Sequence, residues 1–376
     1  MHQNLATRPA WMEFDLGALA ANYEELMRQV GPGVKIIASL KANAYGHGAV
    51  ECAKALANRG VFALSTGSFR DAVAIREAGV TAPILMFGGN LPDAAAQYLE
   101  YDLIPTVYNM ETAQAVSEAA TIPAPIYIKV DAGMGRLGIE LTDAENFIRE
   151  VSNFNNIKIE GIYTHLSFKD SKGEEWSARG IAQFNRLNER LRENGLEIPV
   201  TQAVASANLM VGHMDGSNAI CPGALLYGLS AVNPDLANIE PFRPVLTAIK
   251  AQLIHVGTFP NDPALKEGGY HTVRQSSRTG VVPLGLYDGY RKAQDGIQAE
   301  VLIKNKRRPV LGVSLEHLTF DLLGDETVKI GDTVTIVGKD RGDKITLDEM
   351  AHWQGTGLND LLMNFNGRLP RRYYHG

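Results

Sequence analysis

An alternation of β-like and helical runs through the first two-thirds of the chain most constrains its fold. Runs rich in branched residues, VKIIASL, VFALST, PILMFG, LIPTVY, APIYIKVD, IKIEGIYTHLS, VTQAVAS and NAICPGALLYG, recur through residues 34–228. Between them lie stretches with apolar residues at helical spacing, among them DAVAIREAG, METAQAVSEAA, DAENFIREVSNF and GIAQFNRLNERLREN. Strand and helix patterns taking turns call for parallel strands joined by crossover helices. Eight such strands over roughly 200 residues predict a closed (β/α)8 TIM-like barrel. A doubly wound open sheet is the alternative, but no G-x-G-x-x-G follows the first strand.

After about residue 240 the texture changes. RPVLTAIKAQLIHVGTF, GVVPLGLYDGY, IQAEVLIKNKRRPVLGVSLEHLTFDL and DTVTIVGKD read as short strands with glycine and charged turns. No long helical pattern interrupts them until GTGLNDLLMNF. The expected organisation is a barrel over residues 1–241 and a mainly β domain over 242–376, with the first residues pairing with the β domain. ANIEPFRPVL, with two prolines, reads as the link.

With 376 residues the chain can bury a sizeable core. Its net charge of −6 and lack of a dense basic patch argue against nucleic acid as a partner. The apolar runs are too short to span a membrane, and the first residues show no signal-peptide pattern. Two distant cysteines, Cys52 and Cys221, give no disulfide framework and point to a reducing cytoplasm. No metal-ligating pattern stands out.

In a barrel of this kind chemistry sits at the C-terminal strand ends. The first strand delivers Lys41 and Tyr45, the fifth Lys129, Asp131 and Arg136, the sixth His165, the seventh Ser206, and the eighth Cys221, Pro222 and Gly223. A lysine held in a barrel mouth is partly desolvated, which favours the neutral amine that condenses with an aldehyde. Lysines in loops are as a rule solvated surface charges. Lys41 differs in being followed by AYGHG, whose glycines open the next helix, where N–H groups can bind a phosphate.

SLKANAYGHG at 39–48 resembles the pyridoxal-phosphate lysine motif of the alanine racemase family, and IKVDAGMGRLGIE at 128–140 resembles that family's second hallmark. GIYTHLS at 161–167, ICPGALLYG at 220–228, PLGLYDGY at 283–290 and GRLPRRYY at 367–374 follow in the family's order. The resemblance implies a pyridoxal 5'-phosphate barrel with a C-terminal β domain, acting as a racemase or epimerase on a small amino acid. It also implies a head-to-tail homodimer with composite active sites. Carried over, Lys41 holds the cofactor as a Schiff base and moves the Cα proton on one face of the substrate. Tyr45 and Ser206 contact the phosphate, with Gly223 beside them, and His165 packs against the pyridine ring. Arg136 hydrogen-bonds the phenolic oxygen, supported by Lys129, which many members carry as a carbamate.

The departures from the family pattern are chemical. Cys221 stands where the family has an arginine facing the pyridine nitrogen, removing a fixed cation from the electron sink. Leu286 stands where the family has its second, tyrosine base, and Tyr287 is one residue on. In a regular strand that step reverses the side chain, so only a bulge or turn would let Tyr287 substitute. Asn359 replaces a phosphate-binding tyrosine, and Leu315-Glu316 replace a Met-Asp pair. These changes leave a pyridoxal-phosphate lyase or aldolase, acting on β-hydroxy or α-branched amino acids, and a non-catalytic cofactor-binding paralogue as alternatives.

Overall fold

In a computed structural model the described residues are 8–89, 91–213, 216–233, 235–236, 239–258, 278–365 and 367–376. Contacts divide the chain into a unit of Gly17–Pro244 and a unit that joins the residues through Leu16 to Val245–Gly376.

The first unit is a closed parallel barrel. Its strands are β1 (Lys35–Ser39), β2 (Ala63–Thr66), β3 (Ile84–Met86), β4 (Leu103–Val107), β5 (Ala124–Asp131), β6 (Ile157–Tyr163), β7 (Val200–Ala205) and β8 (Ala219–Cys221). They neighbour one another in the order β4-β3-β2-β1-β8-β7-β6-β5, and β4 pairs with β5 to close the ring. All eight predicted strands are present. Both faces of each strand are covered, which is why the runs are continuously apolar rather than alternating. One buried cluster fills the interior with Ile37, Leu85, Tyr127, Tyr163, Val200 and Cys221. Another packs strands against the outer helices through Ile128, Ile148, Phe184, Leu187 and Leu191.

Helices α1 (Leu16–Val30), α2 (Ala49–Ala57), α3 (Phe69–Glu77), α4 (Ala95–Glu100), α5 (Met110–Ala119), α6 (Ala144–Ser152), α7 (Ser171–Glu193) and α8 (Ser206–Met210) precede, link or follow the strands. Several start where a polar side chain satisfies a first-turn N–H. The Ser68 hydroxyl accepts from the Asp71 N–H at 3.1 Å, Asn109 from Thr112 at 2.8 Å, and Asp170 from Gly173 at 2.9 Å. Gly161 sits where a Cβ would collide with the Tyr127 ring. The β5–β6 register slips between Ile126 and Tyr127, next to that contact.

The second unit is built on one long mixed sheet. Its strands are β9 (Leu246–Gln252), β10 (His255–Thr258), β11 (Arg278–Val282), β12 (Glu300–Ile303), β13 (Lys306–Val313), β14 (Leu318–Asp321), β15 (Thr333–Asp340), β16 (Asp343–Ile345) and β17 (Arg371–Tyr374). The N-terminal strand Ala10–Asp15 runs antiparallel to β9 and parallel to β17. This unit also holds α9 (Leu347–Gln354) and α10 (Leu358–Asn364). The domain is mainly β as expected; α10 was anticipated, whereas the short α9 was not. Its signal was local: the Thr346 hydroxyl accepts from the Glu349 N–H at 3.0 Å, and the Glu349 carboxylate from the Thr346 N–H at 2.8 Å. Among the described residues no helix is long and apolar enough to cross a membrane.

Candidate active site

Lys41 follows β1 directly and opens an unusual turn. Ala42, Asn43, Ala44 and Tyr45 all have positive φ, between 53° and 56°, so the turn is left-handed although none of the four is glycine. Each such residue costs roughly 1–2 kcal/mol, so the turn holds about 4–8 kcal/mol. That is comparable with the whole net stability of a domain, about 5–15 kcal/mol, so the surroundings must hold it in place.

The turn presents Tyr45 to the end of β8. The Tyr45 ring packs 5.1 Å from that of Tyr227, and a Cβ on Gly223 would collide with the Tyr45 hydroxyl. The Ser206 hydroxyl, buried, accepts from the N–H groups of Gly223 at 2.8 Å and Leu225 at 3.4 Å, which leaves its own O–H to donate. Two hydroxyls thus flank a backbone that only glycine lets approach. This cradle suits an anionic head group such as a phosphate.

Opposite lies a cationic cluster on the ends of β5 and β6. The Asp131 carboxylate accepts N–H bonds from Gly133 at 2.9 Å, Met134 at 2.7 Å and Arg136 at 3.0 Å, which fixes the loop that carries Arg136. Lys129 is buried, with its ammonium 4.7 Å from the centre of the Tyr163 ring. The Tyr163 hydroxyl in turn meets Thr106 at 3.0 Å. Burial, then the charges of Arg136 and Lys41, bring the Lys129 ammonium down to about 8. Burial, then Lys41, Lys129 and Arg136, bring His165 down to about 3, so its imidazole is neutral near pH 7. Thr164 lines the same small cavity as Lys129, Arg136 and His165, is 1% exposed, and its hydroxyl has no partner among the described residues. Three cations, a neutral imidazole and an unsatisfied buried hydroxyl fit an anionic, hydrogen-bonding ligand.

His165 carries a pH consequence. The unfolded chain protonates it near its ordinary 6.5, whereas the folded chain resists until about 3. As pH falls from 6.5 toward 3, the unfolded state takes up the extra proton and stability declines. The variant His165→Gln should flatten that part of a plot of urea midpoint against pH.

Cys221 ends β8 inside the barrel, with its sulfur 3.9 Å from the Ser65 hydroxyl. Burial pushes its thiol up to about 11, against the opposing pull of Lys41 and the Ser65 contact, so it is a neutral thiol at physiological pH. Lys41, Lys129, Arg136, His165 and Cys221 therefore share one electrostatic neighbourhood, and Tyr45, Ser206 and Gly223 form the cradle on the same barrel.

Tyr287 and Asn359 stand on the other unit. PLGLYDGY does not continue as a strand: Leu286–Asp288 form a single 3₁₀ turn, held by the Leu286 N–H on Ser314 O at 3.0 Å and the Tyr287 N–H on Leu315 O at 2.9 Å. The one-residue reversal expected of a strand therefore does not operate. Leu286 is half-buried, while Tyr287 is 61% exposed, with the Arg368 guanidinium 3.9 Å from its ring centre. Asp288, fully buried, anchors the turn by accepting from Arg8 at 2.9 and 3.1 Å and from the Gly285 N–H at 2.8 Å. Asn359 is an exposed residue of α10.

Several contributors escaped the sequence reading. Asp131 was noted only as a strand-end residue, and Tyr227 and Ser65 not at all. Tyr227 lay inside a quoted motif, but nothing in it tells a hydrogen-bonding tyrosine from a packed one.

Residues 14–231 match the alanine racemase N-terminal domain and residues 246–373 the alanine racemase C-terminal domain. The chain is 33% identical over 381 residues to an alanine racemase of Methanococcus maripaludis, covering 99% of this chain and 100% of that one. It is 31% identical to an alanine racemase of Halothermothrix orenii, covering 98% and 97%. Among solved structures it is similar to alanine racemase from E. faecalis, with a TM-score of 0.86 at 28% identity over 98% of each chain. It is also similar to alanine racemase of Clostridium difficile 630 in complex with cycloserine, with a TM-score of 0.85 at 27% identity, covering 99% and 97%. With both domain families matched in order along nearly its whole length, the chain belongs to the alanine racemase family of enzymes.

Proposed function

We propose that this enzyme binds pyridoxal 5'-phosphate on Lys41 and interconverts the enantiomers of a small amino acid at Cα. One observation carries the reading: Lys41 opens a rigid turn that shares a barrel mouth with the Tyr45–Ser206–Gly223 cradle and the Lys129–Arg136–His165 cluster. The cradle would take the cofactor phosphate, His165 would lie against the ring as a neutral imidazole, and Arg136 on its Asp131-pinned loop would face the phenolic oxygen. When bound, the cofactor withdraws electron density from the substrate Cα and acidifies its hydrogen. Lys41 Nζ would hold the cofactor through its aldehyde carbon, and the same nitrogen would take a proton from Cα, or return one, on one face of the substrate. A residue on the opposite face must do the reverse for inversion, and Tyr287 is the candidate. Borohydride reduction of the holoenzyme should fix the cofactor on the peptide containing residue 41. A label on any other lysine would overturn the assignment.

The proposed assembly is a homodimer with composite sites. Tyr287 and Leu315, 61% and 71% exposed, lie side by side on the β unit, where a second copy of the chain would cover them. Light scattering should give a dimer; a fully active monomer at micromolar concentration would contradict it.

Leu286 favours a second reading. It offers no proton where the family places a tyrosine, which leaves room for carbon–carbon cleavage of a β-hydroxy amino acid. Cys221 bears on the same choice, since it is neutral where the family has a cation. Cys221→Arg adds a cation beside Lys41, which disfavours the protonated imine. The pH midpoint of the visible band should move down, and the balance of Cα exchange against aldehyde release should change. If neither moves, Cys221 only packs.

A further inference from the structure

The left-handed turn after Lys41 is costly, and the side chains of Asp71, Asn43 and His47 hold it. Within the turn, the Gly46 N–H donates to Ala42 O at 3.0 Å and the Ala44 N–H to Leu40 O at 2.9 Å. From outside, Asp71 on α3 reaches across, and its carboxylate accepts the Asn43 N–H at 3.2 Å. The Asn43 side-chain oxygen accepts the Ala49 N–H at 2.7 Å, and its backbone oxygen accepts from Gly48 at 2.9 Å. On the other side, His47, fully buried, points Nδ1 at Ala44 O and Tyr45 O, both at 2.9 Å, and as the donor it closes the end of the turn. The His47 ring stacks 4.6 Å from that of Tyr227, whose hydroxyl donates to Ser39 O at 2.8 Å, two residues before Lys41.

Both ends of the segment are thus tied to one buried tyrosine, and its middle is tied to the first turn of α3. Residues 41 and 45 are one turn apart, so the arrangement fixes how far the Lys41 amine stands from the Tyr45 hydroxyl over Gly223. A relaxed loop would leave that distance free, and reactive groups lose their advantage when they are misplaced by about 1 Å.

We infer that Asp71 and His47 are positioning residues for Lys41, clamping a strained turn that sets the lysine and the phosphate cradle at a fixed separation before the cofactor arrives. The inference rests on Lys41 being the cofactor lysine. Neither residue touches the reacting atoms; both act through the backbone of residues 42–45.

The test uses the full chain with Asp71→Ala, Asp71→Asn, Ala42→Gly and Lys41→Ala. For each, three quantities are read: pyridoxal-phosphate affinity, the pH midpoint of the visible imine band, and the urea midpoint of the cofactor-free protein. Asp71→Ala should weaken cofactor binding by at least about tenfold and shift the imine midpoint. Its urea midpoint should hold, because losing the clamp also lets the strained turn relax. Asp71→Asn, which keeps an acceptor oxygen, should restore most of the affinity. Ala42→Gly changes an exposed residue to one at ease with positive φ, so its urea midpoint should stay level or rise. A fall in the urea midpoint of Asp71→Ala, with affinity and imine midpoint unchanged, would reduce Asp71 to a structural contact and overturn the proposal. So would a urea midpoint lowered by Ala42→Gly, since the turn would then hold no strain. If Lys41→Ala retains the imine band, the cofactor-lysine reading itself fails. If the band is lost there while Asp71→Ala behaves like the parent, only the clamp is wrong.

Discussion

Lys41→Ala should abolish the imine band and lower Cα hydrogen exchange by at least about 10²–10⁴-fold, the contribution of one positioned proton-transfer group. The residue is asked to do two things from one atom: hold the cofactor and move a proton on one face of Cα. The loss should not reflect unfolding. Lys41 is only partly buried, and the bonds that hold the turn come from the backbone of Leu40–Gly48 and from Asp71, Asn43 and His47. Circular dichroism and the urea midpoint should therefore match the parent. Removal of the ammonium should also be felt at a distance, because the Lys41 charge helps hold both His165 and Lys129 down. In the variant both should titrate at higher pH, which NMR of His165 can read. Undiminished exchange in Lys41→Ala would mean that another lysine does the work.

The second large effect falls on Tyr287. If it supplies the proton on the opposite face, Tyr287→Phe should cut racemisation by at least about a hundredfold while exchange from the Lys41 face survives. The aromatic ring, and with it the stacking on Arg368, is kept, so a loss would belong to the hydroxyl. Leu286→Tyr is the complementary change. If carbon–carbon cleavage is the reaction, this variant should raise racemisation and lower aldehyde release, while Tyr287→Phe leaves turnover intact. Should both variants behave like the parent, neither residue serves the site and the pairing of GLYDGY with the family motif is wrong.

How legible the site was depended on whether its parts were continuous in sequence. Eight strands could be read because parallel strands covered on both faces leave unbroken apolar runs, and their C-terminal ends were then found by counting. Lys41, Tyr45, Ser206, Gly223, Lys129, Arg136 and His165 stand at those ends, but their expected roles came from the resemblance of their motifs to the alanine racemase family and not from the strand pattern. What could not be read was held by backbone geometry or by distant partners. KANAY has no glycine, so nothing in its composition announces four residues of positive φ. Asp71 looks like an ordinary acid in a first helical turn, and only the fold brings its carboxylate to Asn43, 28 residues away. For Leu286 and Tyr287 the sequence left strand and turn both open, and the segment turns because a buried Asp288 gathers Arg8 and the Gly285 N–H around it. The pairing with Arg8 spans 280 residues, beyond the reach of any local pattern.

The claim that this enzyme works at Cα through Lys41 is tested most directly by incubating the holoenzyme with a panel of small L- and D-amino acids in deuterium oxide. Cα deuteration, enantiomer ratio and aldehyde release are followed in the same tubes. The account predicts deuterium at Cα together with approach to a mixture of enantiomers from either side, no aldehyde, and loss of both signals in Lys41→Ala. Aldehyde release from β-hydroxy amino acids without inversion, or no exchange with any amino acid, would contradict it.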